Sequence, residues 1–130
     1  MSGYRTPLGR VRGLGAAKHG VSGFVAQRVS AAALVLLVLW GVWAALGLAQ
    51  ADYAGAVAWL HAPANAILLS LLIGVGAFHM RIGMADIILD YIERPTTKAA
   101  LLTLNIFAAW LAGAIGVFSV LKVALSSGTY

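Results

Sequence analysis

The composition of this chain of 130 residues departs from that of a soluble domain. Apolar residues make up 62% of it and charged residues only 10%, whereas soluble domains are close to half apolar and one quarter charged. A chain this short leaves about a third of its surface exposed when it folds, so it cannot bury that many apolar side chains in its own core. An ordinary soluble domain, a disordered segment and a nucleic-acid-binding module are therefore excluded, and a small integral membrane protein is predicted.

Cysteine content and the distribution of charge further limit the kinds of site and the topology that the protein can have. The chain contains no cysteine, which excludes disulfides, thiolate metal sites and thiol nucleophiles. Its net charge of +5 arises ahead of the first apolar run, because residues 1–28 hold basic residues and no acid, whereas bases and acids balance in the remainder. A basic arm that leads into an apolar segment is a topology signal, so the N-terminus is predicted to be cytoplasmic. An acid-free basic start is also found in transit peptides, but this one is short and lacks their amphipathic pattern.

Three segments are long and apolar enough to cross a membrane. Residues 29–51 and 99–121 carry no charged side chain, and residues 53–80 carry no Lys, Arg, Asp or Glu. A spanning helix needs about 20 predominantly apolar residues, and the weak alternation of polar and apolar residues does not suit a barrel. The prediction is an all-α membrane protein with one membrane-anchor domain over residues 1–130 and a basic arm at 1–25. Its predicted helices lie near 26–50 (helix 1), 62–93 (helix 2) and 98–123 (helix 3).

The two connecting segments predict the orientation of the helices. Loop 51–61 carries Asp52 and neither Lys nor Arg, whereas loop 94–98 carries Arg94 and Lys98. Loops rich in Lys and Arg stay in the cytoplasm. The N-terminus and the second loop are therefore predicted to be cytoplasmic, and the first loop and the C-terminus are predicted to lie on the outer side.

One titratable residue, His79, lies within a predicted span. At 100° per residue, four residues of the same helix lie within about 60° of it, namely Gly76, Gly83, Asp86 and Asp90. Ionisable residues inside a membrane are functional-site candidates, imidazole is an axial ligand of haem iron, and glycines let a neighbouring helix approach closely. Residue type alone leaves two roles open: a hydrogen bond to a neighbouring helix, which is the more common, and coordination of a haem.

The other two histidines do not provide a second ligand. His61 is 18 residues earlier than His79 in the sequence, which on one continuous helix places it about 27 Å away along the axis. His19 lies in the basic arm and would have to fold back into the bilayer. A haem held by two histidines would therefore need its second imidazole from a partner subunit.

Polar residues near the cytoplasmic end of helix 2 suit a quinone. Tyr91 stands beside Asp90, and a phenol hydroxyl can donate to a quinone carbonyl while a carboxylate relays protons. A solvated helix end and an aromatic-belt tyrosine are the ordinary alternatives. Arg28 precedes helix 1 at the same level and is either a membrane-side anchor or a partner of a haem propionate. Arg81 lies opposite His79 and is predicted to reach the headgroups or a peripheral partner.

The stretch HMRIGMADIILDY, from His79 to Tyr91, resembles the second helix of the smaller hydrophobic anchor subunit of succinate dehydrogenase (respiratory complex II). That family shows a histidine, then Ile-Gly-Met or a similar triplet three residues on, then Asp-Tyr at the cytoplasmic end. The sequence Ala-Gln-Arg that ends at Arg28 is similar to the family's start of helix 1 in its alphaproteobacterial form. Two departures stand out: Ser22-Gly23-Phe24-Val25 lacks the histidine or aromatic pair of many members, and Arg81 replaces an aromatic residue.

The resemblance implies a membrane anchor with no catalytic site of its own, in a complex that passes electrons from succinate to ubiquinone. It implies that His79 is one axial ligand of a haem b shared with a larger cytochrome b-type anchor, and that Arg28 lies near a propionate. It also implies that Tyr91 donates to a ubiquinone carbonyl, with Asp90 beside it in proton uptake. An iron–sulfur subunit and a flavoprotein subunit are the further partners implied, and the bacterial inner membrane is favoured over the mitochondrial one.

Three other functions are compatible with parts of this pattern. The anchor of a fumarate reductase has the same parts with electron flow reversed. A small proton-conducting or transporter subunit would use His79, Asp86 and Asp90 as a proton path. An assembly factor would need only a packed histidine. A haem spectrum that depends on His79 distinguishes the anchors of succinate dehydrogenase and fumarate reductase from the transporter subunit and the assembly factor.

Overall fold

The described part of the chain, residues 6–8 and 20–126 of a computed structural model, contains four α-helices and no strand. They are α1 (Gly20–Leu48), α2 (Tyr53–His61), α3 (Pro63–Tyr91) and α4 (Pro95–Ala124). Three of them are long and apolar enough to cross a membrane, over Val21–Leu48, Pro63–Tyr91 and Pro95–Ala124. The predicted all-α fold with three membrane-spanning helices is confirmed.

The first helix begins earlier than predicted. α1 covers Gly20–Leu48 and therefore already includes residues 20–25, which contain no proline that would interrupt a helix. The prediction placed the start by charge, which marks the membrane boundary and not the helix boundary. Arg28 is consequently inside α1, and not ahead of it. His19 and the remainder of the basic arm up to that residue, apart from residues 6–8, lie outside the described residues.

The segment predicted as loop 51–61 contains the short helix α2. Asp52 caps its N-terminus, since its side-chain Oδ1 accepts a hydrogen bond from the backbone N–H of Gly55 at 2.8 Å. α2 ends at His61 and α3 begins at Pro63, where proline suits the first helical position. His61 and His79 are therefore on different helices, contrary to the prediction. The stretch of α3 from Pro63 to His79 alone is still about 24 Å long, so the two histidines remain far apart along the bundle.

The connection between α3 and α4 is also shorter than predicted. α3 ends at Tyr91, and α4 begins at Pro95, with Arg94 in an extended conformation before it, as expected for a residue that precedes proline. Proline at the first helical position is compatible with starting α4 here and not near residue 98. Lys98 Nζ donates to the carbonyl of Leu89 at 3.0 Å, which satisfies one of the free carbonyls at the end of α3.

α3 is the central span and packs against α1 on one side and α4 on the other. The three spans alternate in direction, so the start of α1, the end of α3 and the start of α4 lie at one end of the bundle. Small residues let the helices approach, as is usual in membranes. A Cβ added at Gly41 of α1 would lie 3.0 Å from Leu72, and one at Gly113 of α4 would lie 3.2 Å from Ala77. Ala109 of α4 is only 3% exposed.

The closest of these approaches gives a prediction for Gly116→Ala. A Cβ at Gly116 would lie 2.7 Å from Ile73 Cγ2 on α3, so alanine forces either the Ile73 side chain or one of the two helices to shift. We expect the free energy of unfolding to fall by about 1–3 kcal/mol, as for other overpacked contacts. Reversible unfolding in mixed detergent micelles measures it. The matched control is Gly74→Ala on α3, where an added Cβ meets nothing within 4 Å; equal losses in both variants would contradict the packing argument.

Candidate functional site

His79 lies at the interface of α1 and α3, where its ring is anchored by a serine. His79 Nδ1 is 2.9 Å from the hydroxyl oxygen of Ser30 on α1. Ser30 is 5% exposed, and its Oγ is also 3.0 Å from the backbone carbonyl oxygen of Gln27, one turn earlier on α1. A hydrogen bond from His79 to a neighbouring helix, one of the two roles that residue type left open, is thus present. It uses only one of the two ring nitrogens.

The second ring nitrogen of His79 is available to a ligand. Nε2 has no hydrogen-bond partner among residues 6–8 and 20–126, and it is not among their buried unpartnered polar atoms. Gly76 and Gly83 lie on the same stripe of α3 as His79, and a Cβ added at either glycine would meet nothing within 4 Å. The helix surface at these two glycines is therefore open, one turn to either side of the imidazole.

These features fit an axial ligand for a planar macrocycle. A metal-ligating histidine keeps one nitrogen for the metal and usually gives the other to a hydrogen-bond partner, which is the arrangement at His79. Within the described ranges, no group of three or more His, Asp or Glu side chains could hold a metal ion. The described part of the chain would contribute one imidazole, that of His79, to such a site.

The polar residues at the end of α3 are exposed. Tyr91 is 80% exposed, and its hydroxyl has no partner in the described part of the chain. Asp86, Asp90 and Glu93 are exposed as well. The structure does not bring Tyr91 to His79, since the two are about 18 Å apart along the helix axis and about 120° apart around it. Tyr91 and Asp90 thus form a second candidate site, at the end of the bundle where α1 and α4 start.

Arg28 does not face His79. It is exposed, and its Cζ lies 5.1 Å from the centroid of the Phe24 ring, one turn earlier on α1. At 100° per residue, Arg28 and Ser30 point in directions about 160° apart around the helix. The structure therefore separates Arg28 from the face of α1 that holds the imidazole.

Arg81 packs against an aromatic ring of its own helix. Its Cζ lies 5.4 Å from the centroid of the Phe78 ring, and Phe78 is one turn farther from the end of α3 that carries Tyr91. That Arg81 reaches the headgroups or a peripheral partner stays a prediction. Its Nε is buried without a partner in the described residues, and it lines a groove of about 320 Å³ between α3 and α4 together with Ala109 and Trp110. The aromatic residue three positions earlier provides a cation–π contact.

Sequence reasoning missed two polar residues of the spans. Ser30 anchors His79, and Asn105 of α4, which is buried, donates from Nδ2 to the backbone carbonyl of Arg81 at 2.8 Å. Both are uncharged polar side chains within apolar helices. Such residues commonly form hydrogen bonds across helices in membranes. The sequence therefore showed that both could bond to a neighbouring helix, but not which residue each would contact.

Comparison with known proteins connects these sites to a family. The model of a family described as succinate dehydrogenase/fumarate reductase transmembrane subunit matches residues 2–115, a range that includes Ser30, His79 and Tyr91. The succinate dehydrogenase hydrophobic membrane anchor subunit of Paracoccus denitrificans is 32% identical over 127 residues, which cover 95% of each chain. The subunit of the same description from Rickettsia bellii (strain RML369-C) is 30% identical over 90 residues, 69% of this chain and 72% of that one. No solved structure matches the chain significantly.

Proposed function

The chain belongs to the succinate dehydrogenase/fumarate reductase transmembrane subunit family, and from that premise we propose that it supplies one axial ligand of a haem b and part of a ubiquinone-reduction site. It is a membrane-anchor subunit, and the active site for succinate lies elsewhere in the complex. The resemblance predicted from the sequence is confirmed at the level of the family. One observation carries the haem proposal: an imidazole in a membrane span has one nitrogen anchored by Ser30 and the other without a partner.

His79 binds the haem iron through Nε2 in this proposal. The open surface at Gly76 and Gly83 leaves room for a flat ring beside the imidazole. Since His61 and His79 are on different helices and far apart, the second axial ligand comes from the larger cytochrome b-type anchor. A haem bound there supplies a one-electron redox centre, while the chain supplies its position.

Tyr91 and Asp90 form this chain's part of the ubiquinone site. The Tyr91 hydroxyl is exposed and unpartnered within the described residues, so it is free to donate to a quinone carbonyl oxygen. Asp90 is exposed beside it and can pass protons to the ring as the quinone is reduced. Two exposed side chains do not enclose a substrate, so the larger anchor and the iron–sulfur subunit complete the pocket.

Charge at the two ends of the bundle supports the proposed orientation. Arg28, Arg94 and Lys98 belong to the end formed by the start of α1, the end of α3 and the start of α4. We place this end in the cytoplasm, where the iron–sulfur and flavoprotein subunits dock, and the chain in the bacterial inner membrane. Arg28 has no ion-pair partner among the described residues and remains the candidate for a propionate, although it does not point towards His79.

The remaining alternative, the anchor of a fumarate reductase, differs from the proposed function in the direction of electron flow. The family description covers both succinate dehydrogenases and fumarate reductases, and both relatives compared are named as succinate dehydrogenase subunits. These names favour succinate oxidation over fumarate reduction. Among residues 6–8 and 20–126, the geometry does not favour a proton path across the membrane, because Asp86 and Asp90 are exposed at the helix end and His79 is bonded to Ser30.

Purification of the complex through a tag on this chain tests the proposed function. Three further subunits are expected, one of which carries flavin, together with a b-type band in the reduced-minus-oxidised visible spectrum. The preparation should reduce a ubiquinone analogue with succinate. A four-subunit complex that has this activity and contains no haem b would contradict the ligand role of His79.

A further inference from the structure

We infer that Ser30 is a positioning residue that fixes the tautomer and ring orientation of His79 so that Nε2 is the ligating nitrogen. The inference rests on the proposed haem role of His79. It goes beyond that role by assigning a function to a side chain on another helix, 49 residues away in the sequence. Ser30 would not touch the iron and acts only through the imidazole.

The assignment follows from counting protons at Ser30. Its hydroxyl carries one hydrogen and lies within bonding distance of two atoms, the carbonyl oxygen of Gln27 at 3.0 Å and Nδ1 of His79 at 2.9 Å. The carbonyl can only accept, so the hydroxyl hydrogen must go to Gln27 if both hydrogen bonds are made. Nδ1 must then donate its own hydrogen to Ser30. The neutral ring consequently carries its proton on Nδ1 and a bare lone pair on Nε2.

The opposite tautomer makes one hydrogen bond fewer. If Ser30 donated to Nδ1, the Gln27 carbonyl would lose its side-chain partner and Nε2 would carry a hydrogen that blocks coordination. Hydroxyls in helices readily bond to a carbonyl in the preceding turn, and at 5% exposure Ser30 is nearly excluded from solvent. The arrangement with two hydrogen bonds is therefore favoured, and it is also the one that can bind a metal through Nε2.

The same hydrogen bond affects the electronic character of the ligand. A histidine that donates from its second nitrogen to an acceptor becomes a more basic ligand and is held in one ring orientation. A more basic imidazole favours ferric over ferrous iron. Removal of the acceptor should weaken that preference and move the haem midpoint potential to a more positive value.

Three serine variants of the complete complex test the inference. In Ser30→Ala we expect about a tenfold loss of the ferric preference, which corresponds to a positive shift of about 59 mV for a one-electron couple. Ser30→Thr keeps a hydroxyl and should restore the wild-type potential. Ser119→Ala is the matched control, because Ser119 also bonds to a carbonyl one turn earlier, Ile115 at 2.7 Å, but forms no hydrogen bond to a histidine of the described residues. Redox titration at the b-type band and haem content per flavin are the readouts.

The results that would overturn the role of Ser30 differ from those that would overturn the proposed function. Unchanged potential and haem content in Ser30→Ala, or an equal shift in Ser119→Ala, would overturn the role of Ser30. If Ser30→Ala loses the haem altogether, retention in Ser30→Thr supports the inference and loss in that variant contradicts it. Full haem content in His79→Ala would instead overturn the proposed function. If His79→Ala loses the haem but Ser30→Ala keeps the wild-type haem content and midpoint potential, only the positioning role of Ser30 is overturned.

Discussion

Replacement of His79 by alanine is expected to remove the b-type band from the complex. The variant takes away the one imidazole in a membrane span whose second nitrogen is unpartnered in the described residues. With one axial ligand missing, we expect haem content to fall by about tenfold or more, since even the loss of a hydrogen-bond partner of a ligand costs 10–100-fold in metal affinity. The reduced-minus-oxidised spectrum, normalised to flavin, measures the loss.

His61→Ala is the matched control for this variant. His61 ends α2 in front of the proline that starts α3, so the length of α3 up to His79 separates it from the proposed site. Its replacement should leave both the band and the flavin content unchanged. A normal band in His79→Ala, or equal losses in the two variants, would show that the ligand lies elsewhere.

The spans were predictable because composition alone determines them. Uninterrupted apolar runs of sufficient length can satisfy their backbone in lipid only as helices or closed barrels, whatever their neighbours are. The predicted start of the middle helix near residue 62 agrees with Pro63. Other ends were less predictable, because the starts of the first and last spans were placed by charge, whereas α4 begins at a proline and α2 at a cap. Asp52 is a favoured N-cap residue and so a readable start signal for α2, and it was interpreted only as an acidic loop residue.

The candidate site was predictable only in part. His79 could be found because an ionisable side chain is rare within a span. Ser30 could not be assigned to it, because a serine in an apolar helix has many possible partners and only the packing of α1 against α3 selects one. The contact of Arg81 with Phe78 was missed for a similar reason, because the sequence does not show which neighbour a long side chain packs against.

Tyr91→Phe is expected to separate quinone reduction from succinate oxidation. The variant removes a hydroxyl that is exposed at the end of α3 and has no partner among the described residues, so no internal hydrogen bond is lost and the fold should be unaffected. A hydrogen bond to a group that gains charge contributes about 1.5–3 kcal/mol. The rate from succinate to ubiquinone should therefore fall roughly tenfold to a hundredfold. The rate from succinate to an artificial acceptor that takes electrons from the soluble subunits should stay near the wild-type value.

The loss of the quinone rate should depend on where the tyrosine hydroxyl lies in the bundle, and not on the removal of any exposed tyrosine hydroxyl. Tyr53 is also 71% exposed, but it starts α2 at the opposite end of the bundle, so Tyr53→Phe should preserve both rates. The haem band should be intact in both variants, since Tyr91 is about 18 Å along α3 from His79. An unchanged quinone rate in Tyr91→Phe would remove Tyr91 from the site, and a parallel loss of both rates would indicate that the variant detaches the soluble subunits. Only a selective loss in Tyr91→Phe would place the quinone carbonyl at the end of α3 that carries Tyr91.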